Sequence, residues 1–105
     1  TNRRNYFHQT DAGSRESIKQ AVTTVLDTEK KFIFAMVKCG ELPCTISNVA
    51  QNLNKSVSSI STTRAQLISK GIIYPVRYKE LDFTVPEFAE YIQRLDEYKE
   101  WTKEN

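Results

Sequence analysis

The chain is poor in the residues that build covalent frameworks, phosphate loops and membrane spans. It has three glycines, three prolines, two cysteines and one histidine among 105 residues. The glycines stand alone at Gly13, Gly40 and Gly71, so there is no glycine-rich phosphate loop. The longest uncharged stretch, Leu42 to Asn54, is interrupted by polar residues and falls short of the roughly 20 apolar residues of a membrane span. The sequence therefore predicts neither a transmembrane protein nor a nucleotide-hydrolysing one.

Metal and catalytic sites are limited by the shortage of cysteine and histidine. Cys39 and Cys44 are too few and too close for a disulfide framework, which favours reduced thiols in a cytoplasmic protein. A zinc site would have only those thiols, His8 and carboxylates as ligands, and a nucleophile would have only His8 as its imidazole base. We therefore predict no catalytic residue, no metal, no cofactor and no enzymatic activity.

The length and composition fit one folded domain. Hydrophobic residues make up 39% of the chain and charged residues 27%, within the range of folded proteins. Residues 1–13 lack a periodic pattern and are predicted to be a flexible tail or linker, followed by one domain over residues 14–105. Because the chain begins at Thr1 and not at Met, we expect it to be a piece of a longer protein.

Four helices are predicted in the first two thirds of the chain. Ser14 is a plausible N-cap for the first, and Asp27 or Thr28 for the second, which Gly40 ends. A third helix carries Ile46, Val49, Ala50 and Leu53 on one face, Asn54 and Lys55 form a turn, and Ser56 caps a fourth helix that runs to about Lys70 before Gly71. The residues predicted for the core of this pair are Ile46, Val49, Leu53, Val57, Ile60, Leu67 and Ile68.

A hairpin and a closing helix are predicted to follow. The β-branched and aromatic runs Ile72–Val76 and Leu81–Val85 are separated by Arg77–Glu80, which indicates two strands and a turn. Pro86 suits the first position of one continuous closing helix. Its inner face would carry Phe88, Ala89, Ile92 and Leu95, with Tyr91, Tyr98 and Trp101 completing a core. The predicted fold class is mainly α with a small β-hairpin.

The order of elements from Glu29 to Arg94 resembles a winged helix-turn-helix domain, with an extra N-terminal helix and a C-terminal helix. The resemblance lies in Ala50 and in the run Ser61-x-x-Arg64-x-x-Leu67-Ile68-x-Lys70-Gly71-Ile72-Ile73. A second segment is similar to the C-terminal winged helix of bacterial and archaeal AAA-type ATPases: Leu81-Asp82-Phe83-Thr84-Val85-Pro86-x-Phe88-x-x-Tyr91-Ile92-x-Arg94. The resemblance implies an accessory domain whose ATPase portion lies elsewhere, with Ser14–Leu26 as the helix that joins the two.

A winged helix-turn-helix implies binding to double-stranded DNA, and the charge pattern agrees with it. Residues 45–80 hold five cations and one carboxylate, a net charge of +4, whereas residues 86–105 hold three cations and six carboxylates, a net charge of −3. Basic charge on the motif would orient the domain on a duplex. The candidate DNA-binding residues are Lys55, Ser58, Ser59, Thr62, Thr63, Gln66, Lys70, Arg77 and Lys79.

The roles of Arg77, Lys79 and Arg64 depend on geometry that the sequence leaves open. Arg77 and Lys79 would form a cationic prong if both lie in extended backbone, or they are ordinary charges of a hairpin tip. Arg64 falls near the middle of the apolar arc of its helix. We favour a stem that covers the core and a guanidinium that pairs with a carboxylate at the rim; the alternative is that Arg64 contacts DNA.

The helix that would dock in the groove presents mainly small hydroxyls, which discriminate bases weakly. Its outward face either contacts DNA with little base discrimination or is an ordinary solvated surface. The alternative is therefore a protein-interaction or dimerisation module on the same scaffold, docking on the parent ATPase portion or on a second copy. Tyr91, Tyr98 and Trp101 would form its contact patch if they are exposed and not part of the core.

Overall fold

The computed structural model of the protein describes residues 11–104, and side chains from Glu16 onward. The fold is mainly helical with one small antiparallel sheet. In chain order its elements are α1 (Asp11–Thr24), α2 (Asp27–Lys38), β1 (Cys44–Thr45), α3 (Ile46–Leu53), α4 (Val57–Ser69), β2 (Ile73–Arg77), β3 (Glu80–Phe83), α5 (Phe88–Gln93) and α6 (Asp96–Glu104).

Helix α1 starts earlier than the sequence pattern indicates. Asp11, Ala12 and Gly13 already belong to it, so the prediction of Ser14 as its N-cap is wrong. A glycine costs a helix only about 1 kcal/mol relative to alanine, so Gly13 weakens the helix without ending it. The rest of the predicted tail, residues 1–10 with His8, lies outside the described residues.

Helix α2 is the centre of the molecule. All six side chains from Phe32 to Val37 are buried, because α2 contacts α3, α4, α5 and α6 on different sides. Its N-cap is Leu26 and neither Asp27 nor Thr28, since the carboxylate of Glu29 accepts a hydrogen bond from the Leu26 N–H at 2.9 Å.

The helix pair α3 and α4 agrees closely with its prediction. Thr45 caps α3 by accepting a hydrogen bond from the Asn48 N–H at 3.2 Å, and Ser56 caps α4 by accepting one from the Ser59 N–H at 3.3 Å. Between them Asn54 has a left-handed backbone with φ of 59°, a conformation that asparagine tolerates better than most residues. After α4 ends at Ser69, Gly71 adopts a left-handed backbone with φ of 79°, which turns the chain away from the helix.

The sheet has three strands in the order β1-β3-β2, whereas the sequence predicts only the hairpin of β2 and β3. Strand β1 pairs Cys44 with Leu81 and Thr45 with Glu80, and two residues are too few to produce a recognisable alternation. The predicted four-residue turn is also wrong. Arg77 and Glu80 pair across the hairpin and only Tyr78 and Lys79 form the turn.

The closing helix is divided in two. Pro86 lies in a turn before α5 and is not its first residue, and α5 ends at Gln93. The Leu95 N–H then donates to the carbonyl of Ile92 at 3.0 Å, which closes a tight turn. Helix α6 begins directly after it with Asp96 and Glu97, and two carboxylates in a first turn favour a new helix start.

The predicted core residues are mostly buried. Ile46, Val49, Ile60 and Leu67 are buried, and Leu53 and Ile68 are half-buried against the same cluster. Val57, the first residue of α4, is 42% exposed, contrary to prediction. Among the described residues no helix is long and apolar enough to cross a membrane.

Candidate nucleic-acid interface

The outward face of α4 carries the predicted small polar groups. Ser58, Ser59, Thr62 and Gln66 are exposed on this face, and Thr63 is half-buried beside them. Ser56 positions the start of the helix, and Ile60 and Leu67 hold its opposite side in the core. The face is therefore available to a partner along most of the helix.

Two of the serines on this face already use their hydroxyls within the chain. The Ser59 hydroxyl donates to the Ser56 carbonyl at 2.8 Å, and the Ser58 and Ser56 hydroxyl oxygens are 3.3 Å apart. A hydroxyl occupied by its own helix is a poor reader of a base edge. Thr62 and Gln66 are the better candidates for contacts to bases, since no interaction with another described residue occupies their side chains.

Lys55 lies exposed in the turn between α3 and α4, beside an open groove of about 440 Å³. The groove is bounded by the start of α2, the two helices of the pair and the end of α6. Its lining includes Lys55, Ser59, Thr63, Lys31 and Trp101. Three predicted contact residues thus share one concave surface, which the sequence alone did not indicate.

Lys70 does not belong to the free cations of this surface. Its Nζ lies 2.5 Å from Glu29 Oε1 and 3.4 Å from the carbonyl oxygen of Thr24. Burial alone would raise the pKa of Glu29. The hydrogen bond from Lys70, the hydrogen bond from the Leu26 N–H and the Lys70 charge more than offset that effect and lower the pKa. Lys70 therefore joins the end of α4 to the start of α2, a structural role that its sequence context did not reveal.

The hairpin tip does not form the predicted cationic prong. Lys79 lies in the turn with φ of 64°, so the two-residue alternation of a strand does not apply to it. Its ammonium sits 5.1 Å from the centroid of the Tyr78 ring. Arg77 Nη1 lies 3.6 Å from Glu80 Oε1, an oxygen that is buried and accepts no hydrogen bond from a described residue. The two cations thus have different neighbours, and Arg77 is partly neutralised.

Arg64 is half-buried on α4, which agrees with a stem that covers the core. The predicted ion pair is not observed among residues 16–104, whose side chains the structure describes. Position on the helix wheel predicts the burial of the stem but not the location of a partner on another element.

The aromatic rings of α6 complete the core, as predicted. Tyr98 and Trp101 are half-buried, with ring centroids 5.5 Å and 5.9 Å from the buried ring of Phe34. By contrast, the hairpin carries exposed hydrophobic residues that the sequence analysis did not single out, namely Tyr74 at 40%, Val76 at 36% and Tyr78 at 86% exposure. Tyr74 and Val76 lie on β2, which is an outer strand of the sheet, and Tyr78 lies in the hairpin turn.

The remaining electrostatic feature is the absence of acidic side chains across the motif. No aspartate or glutamate occurs between Glu41 and Glu80, a stretch that contains α3, α4 and β2. Within it Lys55 and Lys79 are exposed cations with no ion pair to a described carboxylate. The described residues also contain no group of three or more histidine, cysteine, aspartate or glutamate side chains arranged to hold a metal ion.

Comparison with known proteins assigns this chain to one family. Residues 16–92 match a family described as a domain of unknown function, DUF8462, and the chain belongs to that family. The match covers α3, α4 and the hairpin and stops before α6. A search of curated proteins gave no match. A search of solved structures also gave none.

Proposed function

We propose that this chain is a winged helix-turn-helix domain that binds double-stranded DNA with low sequence specificity. In this proposal α3 and α4 are the helix-turn-helix, α4 lies in the major groove, and the β2–β3 hairpin is the wing. The observation that carries the proposal is the stretch between Glu41 and Glu80, which contributes no carboxylate to the exposed face of α4 or to the turn beside it. The carboxylate that lines the adjoining groove, Glu104, comes from the end of α6. A polyanion can approach such a face without like-charge repulsion from it.

The contacts divide into two kinds. Lys55 and Lys79 would bind phosphates, since both are exposed and neither has a carboxylate partner among the described residues. Thr62 and Gln66 would approach base edges, and Gln66 is suited by type to adenine. With few phosphate contacts and one good base reader, the affinity is expected to be modest and strongly dependent on salt.

The domain is further proposed to be the accessory portion of a larger AAA-type ATPase, with no catalytic activity of its own. This rests on the resemblance of the segment from Leu81 to Arg94, which in the structure spans β3 and α5. Helix α1 would then lead from the ATPase portion to the winged domain. The sequence of the full-length parent, with or without a nucleotide-binding module, tests this part directly.

Fluorescence anisotropy with a labelled mixed-sequence duplex at low salt tests DNA binding. We expect Lys55→Gln and Lys79→Gln each to weaken binding on all sequences and to reduce the slope of log affinity against log salt by about 0.9. Arg77→Gln should have a smaller effect, because Glu80 lies beside the guanidinium. Glutamine retains part of the aliphatic side chain of lysine or arginine and removes its positive charge.

Lys99→Gln is the matched control. Lys99 is an exposed lysine on α6, a helix with four carboxylates, so its loss changes the net charge equally at a site that should repel DNA. Equal effects of Lys99→Gln and Lys55→Gln would mean that only net charge matters and would contradict the proposed interface. No binding by the wild-type chain at low salt would reject the function.

A protein-interaction module is the second candidate, favoured by the exposed Tyr74, Val76 and Tyr78 on the hairpin. Exposed hydrophobic residues that adjoin one another mark interaction surfaces more often than isolated ones do. Sedimentation equilibrium of the wild type and of the Tyr74→Ser, Tyr78→Ser double variant tests this candidate. Self-association that the double variant abolishes, together with no DNA binding, would favour a dimerisation module.

A further inference from the structure

The tip of the β2–β3 hairpin carries the most exposed large hydrophobic side chain of the described residues. Tyr78 is 86% exposed, and the next in order, Leu26 at the start of α2, is 58% exposed. The remaining exposed hydrophobic residues of the hairpin, Tyr74 and Val76, are covered to a much larger extent. The ring of Tyr78 is therefore almost entirely available to a partner.

Positive charge surrounds this ring. Arg77 and Lys79 are its neighbours in sequence, and the Lys79 ammonium lies over the ring, 5.1 Å from the ring centroid. The Arg77 side chain is 76% exposed, and Glu80 neutralises part of its charge from 3.6 Å. Residues 77–80 thus hold two cations and one carboxylate, a net charge of +1. A partner that combines negative charge with flat apolar groups complements this tip, and a DNA strand with unpaired bases is such a partner.

The hairpin tip lies next to the helix pair. Its turn consists only of Tyr78 and Lys79, and the Lys79 carbonyl accepts a hydrogen bond at 2.9 Å from the N–H of Ile46, the first residue of α3. Lys79 is also one of the two phosphate contacts proposed above. Tyr78 therefore adjoins the surface for duplex binding, and a strand that separates from a duplex bound there can reach the ring.

We propose that Tyr78 stacks on an unpaired base, so that the domain prefers DNA in which a duplex adjoins unpaired nucleotides. This inference rests on the proposed duplex binding. The base packs on the side of the ring that Lys79 leaves open, and Lys79 and Arg77 bind phosphates of the same strand. Every base has a flat face, so such stacking is tolerant of sequence and agrees with the small hydroxyls on α4.

The Tyr78 contact distinguishes paired from unpaired DNA for a geometric reason. Within a continuous duplex both faces of each base are covered by the neighbouring base pairs, so no face is free for a protein ring. Unpaired bases expose their faces and can stack on an aromatic side chain. Tyr78 therefore contributes affinity where base pairing is interrupted and adds little on a continuous duplex.

Fluorescence anisotropy at low salt with two labelled duplexes tests the proposal. The two have the same length and ends, and one contains a short central bubble of unpaired bases. We expect Tyr78→Ala to weaken binding to the bubble duplex by about fivefold or more and to the paired duplex by less than about twofold. Tyr78→Phe keeps the ring and should retain the preference for the bubble. Lys79→Gln, by contrast, should weaken binding to both duplexes.

Tyr74→Ala is the matched control. Tyr74 is the other exposed tyrosine of the hairpin, but Asp82 is its partner across the two strands, and directly opposed residues lie on the same face of a sheet. A carboxylate at that position repels a phosphate strand. Tyr74→Ala should therefore leave the preference for the bubble unchanged. Equal losses in Tyr74→Ala and Tyr78→Ala would contradict a specific role of the tip.

A 2-aminopurine placed in the bubble reports stacking directly, because its fluorescence falls when the base stacks on a ring. We expect quenching on binding of the wild type and of Tyr78→Phe, and none with Tyr78→Ala or Tyr78→Leu. Leucine keeps an apolar side chain without a flat ring, so it separates stacking from general hydrophobic contact. Circular dichroism verifies that each variant is folded. Binding to the bubble without Tyr78-dependent quenching would overturn the proposal.

The outcomes separate this inference from the function on which it rests. No binding to either duplex would reject the proposed function and the stacking together. Binding to the paired duplex without a Tyr78-dependent gain from the bubble would overturn the stacking alone. Sedimentation equilibrium without DNA covers the remaining case, because self-association that Tyr78→Ala abolishes would assign the ring to a contact between copies and overturn the proposal.

Discussion

The pair formed by Glu29 and Lys70 gives the strongest stability prediction. Glu29 is 1% exposed at the start of α2, and Lys70 caps the end of α4 with a side chain that is 36% exposed. The pair is the direct polar link between two helices that are distant in sequence. We consider the variant Lys70→Met, which keeps an apolar stem and removes the ammonium.

The expected loss follows from leaving a buried carboxylate without its cation. Removing one partner of a fully buried ion pair costs about 3–5 kcal/mol. Water reaches Lys70 and screens the pair, so we reduce this value to about 2 kcal/mol for Lys70→Met at neutral pH. For a domain of this size such a loss corresponds to a decrease in Tm of roughly 8–16 °C.

The pH dependence gives a second, independent readout. The native pKa of Glu29 lies below its ordinary value of 4.5, so the ionised carboxylate stabilises the fold above that pH. That contribution disappears as the pH falls through the lowered native pKa. In Lys70→Met burial remains and the cation is gone, so the carboxyl group takes up its proton at a higher pH than in the wild type. The difference in stability between the two proteins should therefore shrink towards zero in acid.

Urea denaturation of both proteins across this pH range measures the effect. Lys31→Met is the matched control, because Lys31 pairs with Asp27 on the exposed side of the same helix start. Its loss should cost no more than about 0.5 kcal/mol. A Lys70→Met loss no larger than that of the control, or one that is constant from neutral to acid pH, would refute the reasoning.

Three further outcomes are expected from thermal denaturation. Asn54→Ala should destabilise the fold by about 1 kcal/mol and Asn54→Gly should not, because the residue has φ of 59°. Ser56→Ala should cost about 1 kcal/mol through loss of the α4 cap, whereas Ser58→Ala, two residues further along the chain, should be nearly neutral. Trp101→Ala should cost about 2 kcal/mol, since its half-buried ring packs on Phe34; no loss would mean that α6 contributes little to the fold.

Local signals in the sequence were sufficient for the helix pair. Thr45, Asn54, Ser56 and Gly71 act through contacts with residues a few positions away, so their roles are visible in sequence order. The apolar spacing in α3 predicted Ile46 and Val49 correctly as core residues for the same reason.

Features that depend on distant residues were not predictable in this way. Strand β1 exists because β3 pairs with Cys44 and Thr45, and neither residue signals a strand by itself. Lys70 appeared to be a surface cation because Glu29 is 41 residues away in sequence. Likewise, the division of the closing helix at Leu95 follows from how α5 and α6 pack on α2, while the apolar spacing continues through the break.

The start of α3 is fastened to the hairpin tip by the backbone itself. Thr45 is both the last residue of β1 and the cap of α3, and the Ile46 N–H donates to the Lys79 carbonyl at 2.9 Å. The helix and the hairpin are therefore held in a fixed relative position. A bound partner would lose little conformational entropy in ordering them. A partner that contacts both would bind a surface whose dimensions are already fixed. A force applied at the hairpin tip would be transmitted first to the N-terminus of α3.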